Sequence, residues 1–281
     1  MRRSFLLAIL CAISLGGCKP VTQGSSARPG ALPALLEKAQ RNSASVIHVF
    51  VALADNVNQG IVPVSSALGN GDDPARNLYW GAAFGVKRFF GNNQHWLLAP
   101  SLVRSSSEAV LERVVFKHAY QNVFLIADAY RGSEIKRATE DFLKAAAGIP
   151  GETVTISDRG KEVTLYFGGS ANLIAYVGHN GLMDFRLTSF PKARDHEKRD
   201  TIILACASKS YFTDPLRATG ANPVLWTTNL MAPEAYVLSA AIDGWLAKEN
   251  GEQIRLRAAR AYDQYQNCGL KGATRLFATG W

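Results

Sequence analysis

Two stretches decide the fold: residues 172–181, NLIAYVGHNG, and residues 201–210, TIILACASKS. Each begins with a short unbroken run of apolar and β-branched residues, the pattern of a strand buried on both faces. Each run stops at small or polar residues. His179 follows one carboxyl end and Cys206 the other.

Similar runs occur on either side. Val46–Leu53 (VIHVFVAL), Asn122–Ala129 (NVFLIADA) and Pro223–Thr227 (PVLWT) read as further buried strands. Glu152–Ser157 and Glu162–Phe167 alternate, and Arg159-Gly160 between them predicts a hairpin. Helical spacing predicts a helix over Leu78–Phe90, stopped by Gly91, and another capped by Ser133 and ending near Gly148. Ala235, Leu238, Ile242, Trp245 and Leu246 share one helical face, with Gly251 as the stop. Ile254, Ala258, Ala261, Tyr262 and Tyr265 share another, ended by Gly269. Strands separated by helices predict an α/β three-layer sandwich with a mostly parallel central sheet, in one domain over residues 40–281.

The N-terminal part is different. Residues 1–17 combine Arg2 and Arg3, an apolar core from Phe5 to Leu15, and Gly16-Gly17. This is the pattern of a secretory signal peptide, and its core is too short to span a bilayer as a mature helix. Leu15-Gly16-Gly17-Cys18 resembles the bacterial lipobox. That resemblance implies cleavage before Cys18 and a lipid on its thiol. Residues 18–39 are then a lipid-anchored tether, small, polar and broken by Pro and Gly, with a reach of roughly 20 Å. The implied location is the bacterial cell envelope, at the outer membrane facing the periplasm if the source is Gram-negative.

The 281 residues are 47% hydrophobic and 10% aromatic, which excludes a disordered chain. Four Cys are too few for a small disulfide scaffold. The net charge of +8 falls to +6 when Arg2 and Arg3 leave with the signal. Arg255, Arg257 and Arg260 share a helix face and the run 192–199 (KARDHEKR) is mixed in sign, so no nucleic-acid partner is expected. His48, His95, His118 and His196 lack metal spacing. The segment Asn70-Gly71-Asp72-Asp73 lacks the spacing of a Ca²⁺ loop. No dinucleotide or Walker fingerprint is present. Neither a metal nor a cofactor is expected.

Sites on parallel sheets form outside the carboxyl ends of the strands. His179 and Cys206 stand at such ends in consecutive strands, and a thiol becomes a useful nucleophile beside a base or cation. The blocks Tyr176-Val177-Gly178-His179-Asn180-Gly181 and Ile202-Ile203-Leu204-Ala205-Cys206 resemble the caspase-like (clan CD) cysteine peptidases, in which an apolar strand ending in His-Gly precedes one ending in Ala-Cys. The resemblance implies a caspase-like topology and an endopeptidase acting on a peptide or protein. Cys206 would be the nucleophile and His179 the general base and acid. Backbone N–H groups of Asn180, Gly181 and Cys206 would form the oxyanion hole. Asn180 stands where the family has Gly.

Asp55, at the end of the first strand, and Asp184, soon after the His, are candidates for binding substrate. Asp55 also reads as a loop cap. A rival state for the thiol is a Cys206–Cys268 disulfide, since an exported chain would keep only these two free cysteines. The alternative function is a non-catalytic lipoprotein with an α/β binding scaffold.

Overall fold

The computed structural model describes residues 44–99 and 105–281. The expected signal peptide, Cys18 and the expected tether lie outside the described residues.

The centre of the molecule is β1 (Ser45–Ala52), with β4 (Val123–Tyr130) parallel on one side and β7 (Leu173–Gly178) parallel on the other. Beyond β7, two more strands continue in parallel, β8 (Asp200–Leu204) and β9 (Asn222–Thr227). The flanks are antiparallel. They comprise β2 (Trp96–Ala99) and β3 (Val110–His118) beyond β4, and the short β10 (Phe277–Ala278) beyond β9. The eight-stranded order is β10-β9-β8-β7-β1-β4-β3-β2. The sheet is therefore mixed, with five adjacent parallel strands at its middle. The hairpin β5 (Pro150–Asp158) and β6 (Lys161–Gly168) forms a separate two-stranded sheet, turned by Arg159 and Gly160, both at positive φ.

The unbroken apolar runs are explained by helices on both faces. Along β1, Ile47, Val49 and Val51 face α1 (Val86–Gly91), α4 (Ala235–Leu246), α5 (Gly251–Gln266) and α6 (Leu270–Leu276). Val46, Phe50 and Ala52 face α2 (Ile135–Ala146), α3 (Ser208–Thr219) and the hairpin. Both sets are buried, and each large apolar side chain so placed contributes about 1.5–3 kcal/mol.

Several boundaries differ from the expectations. The helix expected over 78–90 is only Val86–Gly91, because residues before it fold as turns about Asn77. A Cβ at Gly81 would lie 2.1 Å from the Ala75 carbonyl oxygen, so that close approach needs glycine. Ser133 lies in a single 3₁₀ turn (Gly132–Glu134) and caps nothing. Gly251 opens α5, whose cap is Asn250 in a reciprocal pair with Gln253. Asn267, not Gly269, takes the left-handed position that ends α5.

One feature of this order positions the site. The chain passes from β1 outward to β4, then returns over α2 to β7 on the opposite side of β1. The loops after β1 and β7 meet beyond the carboxyl ends of these strands, where the Gly60 N–H donates to Asp184 at 3.0 Å.

Candidate functional site

On the β8 side, the chain leaves Leu204, turns through Ala205-Cys206-Ala207 and enters α3 at Ser208. Ala207 holds φ +48°, a left-handed conformation that costs energy in a residue with a side chain. Buried hydroxyls hold the turn. Ser208 Oγ donates to the Ile203 carbonyl at 2.9 Å and accepts from the Thr227 N–H at 2.9 Å. Thr227 Oγ1 bonds the Ala205 carbonyl and accepts from the Ser208 N–H at 3.1 Å. The Ala207 N–H reaches the Asn229 carbonyl at 2.9 Å. Cys206 is half-buried, and its Sγ rests on the backbone of Met231, 3.4 Å from the nitrogen and 3.6 Å from the oxygen. Cys206 and Cys268 are both free thiols, so the rival disulfide is not formed.

On the β7 side, Gly178 adopts φ +142°, and a Cβ there would lie 2.6 Å from the Ala52 carbonyl oxygen. The strand can turn against β1 only without a side chain. His179 follows, 6% exposed, its carbonyl held by the Tyr176 hydroxyl at 2.9 Å. Its Nε2 lies 2.8 Å from Asp184 Oδ2, and the same oxygen accepts from the Gly60 N–H at 3.0 Å. Nδ1 makes no hydrogen bond within the described residues, and it is not among the sealed polar atoms.

Asn180 and Gly181 complete the turn. Asn180 is fully buried. Its Nδ2 donates to the Cys206 carbonyl at 2.7 Å, and its Oδ1 caps the 3₁₀ turn Gly181–Met183 by accepting from the Leu182 N–H at 3.1 Å. A Cβ at Gly181 would meet the Phe185 ring at 2.6 Å. Asn180 thus ties the two loops together. The last β7–β8 pair is Val177 with Leu204, so His179 and Cys206 each follow two residues beyond it, in the loops that the Asn180 amide joins. Among the described residues the imidazole and the thiol share no hydrogen bond. The N–H groups of Asn180, Gly181 and Cys206 likewise donate to no group there.

Asp55 and Asp184 have different surroundings. Asp55 is 5% exposed and caps its own loop, accepting from the Val57 and Asn58 N–H groups at 2.9 and 3.0 Å and from Asn58 Nδ2 at 2.8 Å. Gly71 and Gly132 close over it, where a Cβ would come within 2.4 Å of its side chain. Asp184 meets His179 instead.

Other residues of the site carried no sequence signal. Burial pushes the Tyr79 phenol far up, and the neighbouring Cys206 and Glu234 add to the rise. Burial also raises the Glu234 carboxyl, against a 2.9 Å hydrogen bond from the Tyr236 hydroxyl. The Tyr262 hydroxyl accepts from the Ala232 N–H beside Met231.

A second polar cluster lies on the α2 face of the sheet. Arg113 grips Asp128 with Nε at 2.6 Å and Nη2 at 2.8 Å, and its Nη1 bonds Glu152. His48 Nε2 lies 3.1 Å from Asp128 Oδ2. Arg113 stacks over Phe167 at 4.5 Å. These residues border a cavity of about 320 Å³ and tie β1, β3 and β4 to the hairpin. The sequence signals neither Arg113 nor this pairing.

Among the described residues no group of His, Cys, Asp and Glu is arranged to hold a metal, and no helix is long and apolar enough to cross a membrane. Compared with known proteins, the chain matches no family model, no curated protein and no solved structure.

Proposed function

We propose that the chain is a cysteine hydrolase of caspase-like fold, an endopeptidase tethered to the bacterial envelope through a lipid on Cys18. The observation that carries this reading is the placement of His179 and Cys206 at facing ends of neighbouring parallel strands, with the Asn180 amide bonding the Cys206 carbonyl. The order of the two strands, His before Cys, also supports the caspase-like assignment.

The chemistry follows from the groups available. The Sγ–H turns from Met231 and gives its proton to His179 Nδ1. The thiolate attacks the peptide carbonyl carbon, and the carbonyl oxygen becomes an oxyanion facing the open N–H groups of Asn180, Gly181 and Cys206. Preorganised donors of this kind are worth about 3–4 kcal/mol each in the transition state. The C–N bond then breaks as the amine takes the proton from Nδ1. Water hydrolyses the thioester, releasing the acid and restoring the thiol. Free enzymes often show loose nucleophile–base contacts that tighten on binding substrate.

The test compares Cys206→Ala and His179→Ala with the parent on a quenched-fluorescence peptide library. Each change is expected to lower kcat/KM by at least about 10²-fold. Undiminished hydrolysis in both variants would falsify the assignment. A second reading, a non-catalytic envelope lipoprotein, draws on the thiol's contact with Met231 in place of the imidazole. It predicts an unreactive Cys206, alkylated no faster than the exposed Cys268. For the anchor, Cys18→Ser is expected to abolish labelling by a fatty-acid analogue and release the protein from membranes. Continued labelling would exclude that role for Cys18.

A further inference from the structure

We propose that Asp184 is the positioning residue of this site, a carboxylate that fixes the tautomer and orientation of His179 and makes the arrangement a Cys206–His179–Asp184 triad. The inference rests on the cysteine-hydrolase reading and assigns a role within it.

A carboxylate can only accept hydrogen bonds. Asp184 Oδ2 receives two, from the Gly60 N–H at 3.0 Å and from His179 Nε2 at 2.8 Å. In the neutral imidazole the proton therefore sits on Nε2, and the lone pair falls on Nδ1. That nitrogen has no partner in the described chain and is not sealed from solvent, as a proton acceptor for the thiol requires. When Nδ1 takes the proton, the ring becomes an imidazolium whose Nε2–H already points at an anion. The bond gains strength at the step that needs it.

The local fold is built to deliver this carboxylate. Residues 181–183 form a single 3₁₀ turn, and the Asp184 and Phe185 N–H groups return to the Gly181 carbonyl at 2.9 and 3.0 Å. This brings Asp184 back beside the His that precedes the turn. The cap of that turn, Asn180, is also the residue bonded to the Cys206 carbonyl. The Gly60 bond adds the loop after β1, and a Cβ at Gly60 would lie 2.5 Å from Asp184 Oδ1. Asp184 is one-third exposed, so burial alone does not explain a carboxylate held from two loops.

The test uses the full chain with Asp184→Ala and Asp184→Asn. Cys206→Ala and His179→Ala serve as references. Three quantities are measured: steady-state hydrolysis of the peptide library, the iodoacetamide alkylation rate of Cys206 relative to Cys268 by mass spectrometry, and the ¹⁵N shifts of the His179 ring. In the parent protein the ring is expected to show the Nε2–H tautomer. Asp184→Ala should lower kcat by about 10²-fold with KM within about threefold, lower the alkylation ratio about tenfold and mix the tautomers. Cys268, being remote in role and exposed, should alkylate at an unchanged rate.

A merely structural Asp184 would shift the melting midpoint while leaving the tautomer, the alkylation ratio and kcat of the folded protein within about twofold. That result overturns the triad and leaves the Cys206–His179 reading standing. Retained hydrolysis in Cys206→Ala overturns the underlying reading, and the triad with it. If Asp184→Ala does not fold, Asp184→Asn decides, because it keeps the shape and removes the charge. Alkylation and ring shifts need no substrate, so they decide the matter even for a protein that ignores the library.

Discussion

Gly178 shows how one residue sets the site. Its φ of +142° and the Ala52 carbonyl oxygen, 2.6 Å from where a Cβ would stand, make glycine obligatory. Gly178→Ala is expected to destabilise the fold by about 1–3 kcal/mol, read as a shift in urea midpoint with unchanged slope. Asn180 makes a complementary case. Changing it to Gly removes both the Leu182 cap and the bond to the Cys206 carbonyl. Asn180→Gly should therefore reduce hydrolysis, and a variant as active as the parent would show that the tie between the loops is dispensable. At this scale the sequence was most legible for His179 and Cys206, because a strand end followed by small polar residues is visible in one dimension. The role of Asp184 was not, because its carboxylate returns to His179 only after a 3₁₀ turn that no residue pattern announced. Asp55 reads as a loop cap in the sequence, and its hydrogen bonds have that form.

Among the elements, the buried strands were legible because unbroken runs of Val, Ile and Leu have few other uses. The flanking strand β3 carries no such run. Its sequence, VLERVVFKH, carries charges that look solvent-facing, yet Arg113 turns inward to a carboxylate. Helix α3 is equally silent in sequence, since SKSYFTDPLRAT shows no clean apolar stripe and contains Pro215. It is held by tertiary contacts at its start, where Ser208 and Thr227 exchange hydrogen bonds. Ser208→Ala leaves the buried Thr227 N–H without its acceptor. The expected cost is about 1–3 kcal/mol in a denaturant titration, against no more than about 0.5 kcal/mol for a surface serine such as Ser210.

Across the whole molecule, the buried Arg113–Asp128–His48 cluster couples the sheet to the hairpin. Burial opposes ionisation of Asp128, but hydrogen bonds and charge from Arg113 and His48 outweigh it and hold the carboxyl below the usual range. The sign follows directly. A carboxyl lowered in the folded state stabilises above its unfolded value, about 3.9, and that contribution is lost as pH falls through the folded value. Urea midpoints should therefore drop steeply below about pH 4, and Asp128→Asn should flatten the drop. Arg113→Met leaves Asp128 buried beside His48 without its guanidinium, and is expected to cost about 3–5 kcal/mol at pH 7. A midpoint unchanged by Arg113→Met would show that the cluster does not brace the hairpin.

By itself the sequence determined that this is an α/β chain with a central set of buried strands, and that a His and a Cys stand at two consecutive strand ends. Both properties follow from hydrophobic patterning, which is local and survives in one dimension. Only the tertiary structure decided that the sheet is mixed, that the Asn180 amide bonds the Cys206 carbonyl, that Asp184 meets the imidazole and that the Arg113 side chain is buried. These depend on strand order, register and the closure of loops far apart in the chain. Such pairings are set by the packing of both sheet faces at once, which no single window of residues encodes.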